Sequence, residues 1–253
     1  MASRDFESED ILSEALEFLG GKPIIDDTII RYGPLVLTLA PKEGKANTLL
    51  ADHLFSPALF LAERIERGLL TLGGATVIEL GAGGALPSLL LSIQPNPPIL
   101  IVVTDYPDEG ILGNLKQNVE RNRSSATDGC RIECRGYEWG TDPSDLLLLS
   151  KTGYDVVILS DLLHFLASHD VLVSSIGALL ARKRDAKVYV GAGKYTHIDV
   201  CDNFLEKGRK AGLVFQEIGV PSEEMKWMGQ LEIPSLDAEA LALQCLQWAK
   251  HLS

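Results

Sequence analysis

From Ala75 onward, unbroken apolar runs alternate with stretches in which apolar residues recur every third or fourth position. The runs are ATVIEL (75–80), ILIVVT (99–104), RIECRG (131–136), YDVVILS (154–160), AKVYVG (186–191) and LVFQEI (213–218). Short, apolar at successive positions and rich in β-branched residues, they read as strands buried on both faces, as in a parallel sheet covered by helices. Helices are predicted between them over 86–93, 108–121, 171–182 and 199–211; in the second, Ile111, Leu115 and Val119 lie four apart on one stripe. The pattern predicts an α/β fold: a Rossmann-like, doubly wound, mostly parallel sheet over residues 71–253.

Residues 1–70 read as an N-terminal extension that caps one face of that sheet. DTIIRYGPLVLTLAP (27–41) predicts two short strands around Tyr32 and Gly33, and TLLADHLFSPALFLAERIERGLL (48–70) predicts helix interrupted by Pro57. Beyond the sixth run, 221–237 reads as a loop carrying Met225, Trp227 and Met228. The tail AEALALQCLQWAKHLS (238–253) suits either a terminal helix or the lead into a seventh strand.

Composition narrows the class. The 253 residues suit one sizeable domain, and 46% hydrophobic with 23% charged residues is ordinary for a folded soluble chain. A formal net charge of -12, with no cluster of lysine and arginine beyond the short ARKRDAK, argues against a nucleic-acid partner. Four scattered cysteines lack the paired CxxC spacing of a zinc site and look like reduced thiols. No run reaches the roughly 18 apolar residues of a membrane span. The expected address is the cytoplasm, or also the nucleus; oligomeric state is left open.

The chemistry concentrates in VIELGAGGALPS (77–88), where a buried strand runs into Glu79 and then a glycine turn. In a doubly wound sheet this turn sits at the carboxyl ends of the strands, where ligands bind, and Gly81 and Gly83 let the backbone approach a ligand closely. The next strand ends in Asp105, at the place where a carboxylate accepts hydrogen bonds from both hydroxyls of a ribose; Asp108 is the better helix cap. The dinucleotide fingerprint wants a glycine where Leu86 stands, which disfavours a pyrophosphate. Glu79 beside the turn favours a cationic nucleoside instead, and S-adenosylmethionine carries both a sulfonium and an ammonium.

These segments resemble the S-adenosylmethionine-dependent methyltransferases, within them the lysine methyltransferase-like family that includes elongation-factor methyltransferases and fungal proteins labelled nicotinamide N-methyltransferase. The resemblance is carried by VIELGAGGALPSLLL, VVTDYPD, NLKQNVERN, GYEWG and YDVVILSDLL, over roughly residues 50–218, and it implies a seven-stranded sheet. It further implies that Gly81, Ala82 and Gly83 line the methionine part of the cofactor, that Asp105 takes the ribose with Tyr106 beside it, and that Trp139 lies against the adenine with Ser160 next to it. Phe55 stands where the family usually has a cofactor-touching tryptophan. After the fourth strand the family's aspartate is present as Asp161, followed by His164 and Phe165.

Methyl transfer from a sulfonium to an amine needs alignment, a dry cavity and a neutral nucleophile. A carboxylate or imidazole near the methyl can orient the amine or take its proton, which nominates Asp161 and His164. Asp161 reads equally as a helix cap and His164 as a satisfied pocket residue. His164, His169 and Asp170 do not share a helical face, so no metal is expected. The expected reaction is N-methylation of an amine, a protein lysine or N-terminus, with a nicotinamide-like small molecule or a cofactor-binding module without turnover as alternatives.

Overall fold

The computed structural model describes residues 29–217 and 245–250. The predicted 221–237 loop, with Met225, Trp227 and Met228, lies outside them.

The chain opens on an antiparallel hairpin, β1 (Ile29–Tyr32) and β2 (Leu35–Thr38), closed by Gly33 at φ 55 and Pro34. A short helix α1 (Gly44–Thr48) follows, then α2 (Ser56–Glu66). Pro57 does not interrupt this helix. It sits in the first turn, where no intrahelical donor is needed, and so starts α2.

The parallel run comprises β3 (Thr76–Leu80), α3 (Leu86–Ser92), β4 (Leu100–Asp105), α4 (Glu109–Asn122), β5 (Arg131–Gly136), α5 (Ser144–Leu149), β6 (Val156–Ser160), α6 (His169–Leu179), β7 (Lys187–Gly193) and α7 (Ile198–Lys210). The sheet continues through β8 (Phe215–Glu217) and β9 (Cys245–Lys250), so the ambiguous tail contributes a strand. Among the described residues the sheet has seven strands in the order β5-β4-β3-β6-β7-β9-β8, parallel except where β9 runs against β7 and β8. The chain leaves β3 toward β4 and β5 and returns to β6 on its other side, so the order reverses beside β3, and a crevice opens there.

Alternate residues feed two cores. Val77, Ile101, Val103, Val156 and Ile158 pack under the hairpin, α2, α3 and α4; Ile78, Leu80, Val102, Val157, Leu159 and Val190 pack under α6 and α7. Burial on both faces is why the strands read as unbroken apolar runs. The predicted helices fall within a few residues of α3, α4, α6 and α7, and Asp108 caps α4 by accepting from the amides of Gly110 and Ile111. The helix α5 falls in DLLLL, outside the predicted helices. It is one and a half turns long, too short to show a period.

The hairpin is fixed to α4 by three asparagines four apart. Asn118 and Asn122 each exchange a pair of hydrogen bonds with the backbone of Thr38 and Val36 at 2.8–2.9 Å, and Asn114 donates to Thr38 O at 2.9 Å. Their carboxamides thus satisfy the free edge of β2 as a neighbouring strand would.

Candidate active site

Beyond Leu80 the chain must turn sharply over the end of the sheet, and it does so through left-handed backbone: Gly81 at φ 58, Gly83 at φ 54 and Ala85 at φ 60. The turn is tied to β4 by Ala82 N donating to Thr104 O at 2.9 Å and by Gly83 N donating to Asp105 Oδ2 at 2.7 Å. Leu86, where a diphosphate-binding loop would keep a glycine, begins α3 buried in the core.

Over this turn lies a cleft of about 350 Å³, within the range of small-molecule sites. One end of it is built by β4 and β5. Asp105 Oδ1 accepts from Tyr106 N at 2.7 Å and Oδ2 from Gly83 N, which leaves each oxygen a further lone pair. Burial raises the Asp105 pKa, opposed by the two amides. Trp139 lines the same cleft, edge-on to Phe165 at 5.8 Å. Its loop is anchored by buried Ser175, whose Oγ accepts from Gly140 N at 2.8 Å and Tyr137 OH at 3.0 Å and donates to Val171 O at 2.9 Å.

The other end is built by β6 and the segment before α2. Ser160 closes β6 with its hydroxyl buried and unpartnered among the described residues. Asp161 follows at φ 61, and each of its carboxylate oxygens accepts one hydrogen bond: Oδ1 from Gly193 N at 3.3 Å and Oδ2 from the Tyr195 hydroxyl. Burial raises its pKa; His164, Tyr195 and Gly193 act the other way. Both nitrogens of His164 are buried without a hydrogen-bond partner among the described residues, and its ring packs against Phe165 at 4.0 Å, tilted by 43°. Burial lowers its pKa, opposed by the neighbouring Asp161. Phe55, the residue before α2, faces this end between His53 at 5.6 Å and Tyr195 at 6.2 Å.

The cleft wall therefore brings together Phe55, Gly81, Ala82, Gly83, Asp105, Tyr106, Trp139, Ser160, Asp161 and His164. Glu79 is not in that wall. It is fully buried one layer below, on the face toward α3, where Ser88 favours its anion but neither carboxylate oxygen makes a complete hydrogen bond. Desolvation pushes its pKa up to about 7. His169 belongs to the fold rather than the cleft, its nitrogens meeting Leu163 O at 2.7 Å and Asn203 Oδ1 at 3.1 Å, while Asp170 pairs with Lys207. Among the described residues no group of three metal-ligating side chains converges, and no helix is long and apolar enough to cross a membrane.

Sequence reasoning missed His53 and Tyr195. The signal for His53 was adjacent, in the pair Asp52–His53 just ahead of Phe55, whereas nothing local to Tyr195 announces its bond to Asp161. As a whole, the arrangement fits an adenosyl sulfonium donor: a diol-accepting carboxylate, an indole, and a turn with no side chains at its tightest approach.

Comparison with known proteins agrees. A family model described as lysine methyltransferase matches residues 44–207. The chain is 29% identical to the protein N-terminal and lysine N-methyltransferase efm7 of Schizosaccharomyces pombe over 75% of each chain. It is 31% identical to EFM7 of Eremothecium gossypii, over 72% of this chain and 69% of that protein. A methyltransferase from Pyrococcus furiosus shares the fold at a TM-score of 0.50 and 12% identity, covering 98% of each chain. The protein belongs to the lysine methyltransferase family and is an S-adenosylmethionine-dependent methyltransferase.

Proposed function

We propose that the protein methylates an amine of a protein substrate, a lysine side chain or an N-terminus, within this cleft. The relatives named above carry both activities in their names. One observation carries the reading: besides the Asp105 carboxylate, the cleft wall holds an imidazole, that of His164, whose two nitrogens have no hydrogen-bond partner among the described residues.

S-adenosylmethionine supplies an already activated methyl group, so the protein's part is alignment and exclusion of water. Asp105 holds the ribose through its remaining lone pairs, Trp139 covers the adenine, and Gly81 and Gly83 give the methionine arm room. Tyr195 and Gly193 hold the Asp161 carboxylate, which fixes the β6 turn and the His164 that follows. His164 then hydrogen-bonds the incoming nitrogen and orients its lone pair.

The test is transfer of tritiated methyl from S-adenosylmethionine to a lysate, read on a gel and in the small-molecule fraction. Label in protein, released on hydrolysis as methyl-lysine or a methylated N-terminal residue, supports the reading. Label confined to small molecules contradicts it in favour of a metabolite acceptor, and cofactor binding without transfer contradicts turnover.

A further inference from the structure

We propose that His53 is the proton acceptor for the incoming amine, held for that task by Asp52; this rests on the amine-methylation reading above. A lysine or N-terminal amine arrives largely as an ammonium, which has no lone pair to attack with. Something at the reacting end must take its proton.

The geometry singles out one pair. The Asp52 side chain is wholly buried, and its Oδ1 lies 2.7 Å from His53 Nδ1. The other oxygen of Asp52 has no partner among the described residues, so His53 is the polar group that answers this carboxylate there. A carboxylate at Nδ1 fixes the tautomer: Nδ1 carries the hydrogen and donates, and Nε2 presents its lone pair. His53 Nε2 has no hydrogen-bond partner among the described residues, the ring lines the cleft, and its side chain is 19% exposed. It lies beside Phe55, which faces Tyr195 and through it Asp161, so a chain of contacts joins it to the end of the cleft where β6 closes.

The other two groups at that end are less suited. Asp161 is buried and already accepts one hydrogen bond at each oxygen, from Tyr195 and Gly193. The His164 nitrogens have no carboxylate hydrogen-bonded to them, which suits His164 to orienting the amine rather than to taking up its charge. His53 has a buried negative charge in contact to offset the positive charge it gains. In the step, an N–H bond of the ammonium breaks, its electron pair stays on the amine nitrogen, and the proton forms a bond to Nε2. The resulting imidazolium passes the proton to water at its exposed edge; nothing is oxidised or reduced.

The test compares wild type, His53→Ala, His53→Gln and Asp52→Asn for tritiated-methyl transfer to lysate protein, with S-adenosylhomocysteine affinity measured by calorimetry. The expected result is a loss of about 100-fold or more in turnover for His53→Ala, an S-adenosylhomocysteine affinity unchanged within about threefold, and recovery of the rate as free imidazole is added. His53→Gln, which can still donate to Asp52 but cannot take a proton, shows the same loss without needing a cavity, and Asp52→Asn falls between it and wild type. Normal turnover in His53→Gln, or a loss in His53→Ala that imidazole does not restore, overturns the role of His53 while leaving the methylation reading intact. Wild-type protein that binds S-adenosylhomocysteine yet labels no protein overturns both.

Discussion

Gly83 N donates a 2.7 Å hydrogen bond to Asp105 Oδ2, so the turn after β3 and the carboxylate ending β4 form one unit. The residue proposed to accept the ribose is thus the residue that holds the glycine turn in place. Replacing Asp105 by alanine removes both. Cofactor affinity is expected to fall about 5- to 150-fold, the equivalent of the about 1–3 kcal/mol lost when buried polar groups lose their partner. Calorimetric titration with S-adenosylhomocysteine reads this, and unchanged affinity contradicts the ribose assignment.

The two glycines of the turn separate stability from binding. A Cβ on Gly81 would stand 2.7 Å from Leu162 Cδ2 and 3.1 Å from Trp139, whereas a Cβ on Gly83 meets no atom within 4 Å. Both residues have positive φ, which costs a side-chain-bearing residue about 1–2 kcal/mol. Gly81→Ala is therefore expected to lower the melting temperature more than Gly83→Ala does. Gly83→Val should stay folded yet lose cofactor affinity, because its side chain enters the space the cofactor needs; normal affinity in that variant refutes close backbone approach.

Ser175 is a positioning residue for Trp139, since its hydroxyl joins Tyr137, Gly140 and the backbone of Val171 in a buried cluster. Ser175→Ala strands the Gly140 amide and is expected to cost about 1–3 kcal/mol of stability. The loosened loop weakens S-adenosylhomocysteine binding and changes tryptophan emission on titration. Wild-type affinity and emission in Ser175→Ala refute this coupling.

Glu79 makes stability depend on pH. Unfolded, its carboxyl loses its proton above its ordinary value of 4.5; folded, it keeps the proton up to about 7. The unfolded state therefore binds fewer protons across that window, and stability falls as pH rises from 4.5 to 7, then levels off. The Glu79 contribution is on the order of 3 kcal/mol, at about 1.4 kcal/mol per pH unit. In denaturant unfolding from pH 5 to 8, Glu79→Gln should gain on wild type with rising pH until about 7. Parallel curves contradict the buried, unpartnered carboxyl.

Much of this site is legible in the chain because its parts are local. A glycine turn at a strand end, an acid ending the next strand and a helix cap at Asp108 each declare themselves within a few residues. The parallel sheet is legible because burial on both faces makes its strands continuous apolar runs. What is hidden depends on partners distant in sequence. Strand alternation turns Glu79 toward α3 and away from the cleft, though its proximity to the glycines suggests the reverse. Tyr195 reaches Asp161 only because β6 and β7 are neighbours. The asparagines of α4 read as an ordinary polar face until β2 is laid against them. Pro57 looks like a helix breaker because the start of α2 is set by packing rather than by a polar cap.

A crystal structure with S-adenosylhomocysteine bound shows where the donor lies. The ribose hydroxyls are expected on Asp105, the adenine against Trp139, and the sulfur between the Gly81–Gly83 turn and the wall formed by Phe55 and His164. Density for the nucleoside elsewhere, or a cleft filled by the protein's own side chains with Asp105 bound to them, contradicts this placement.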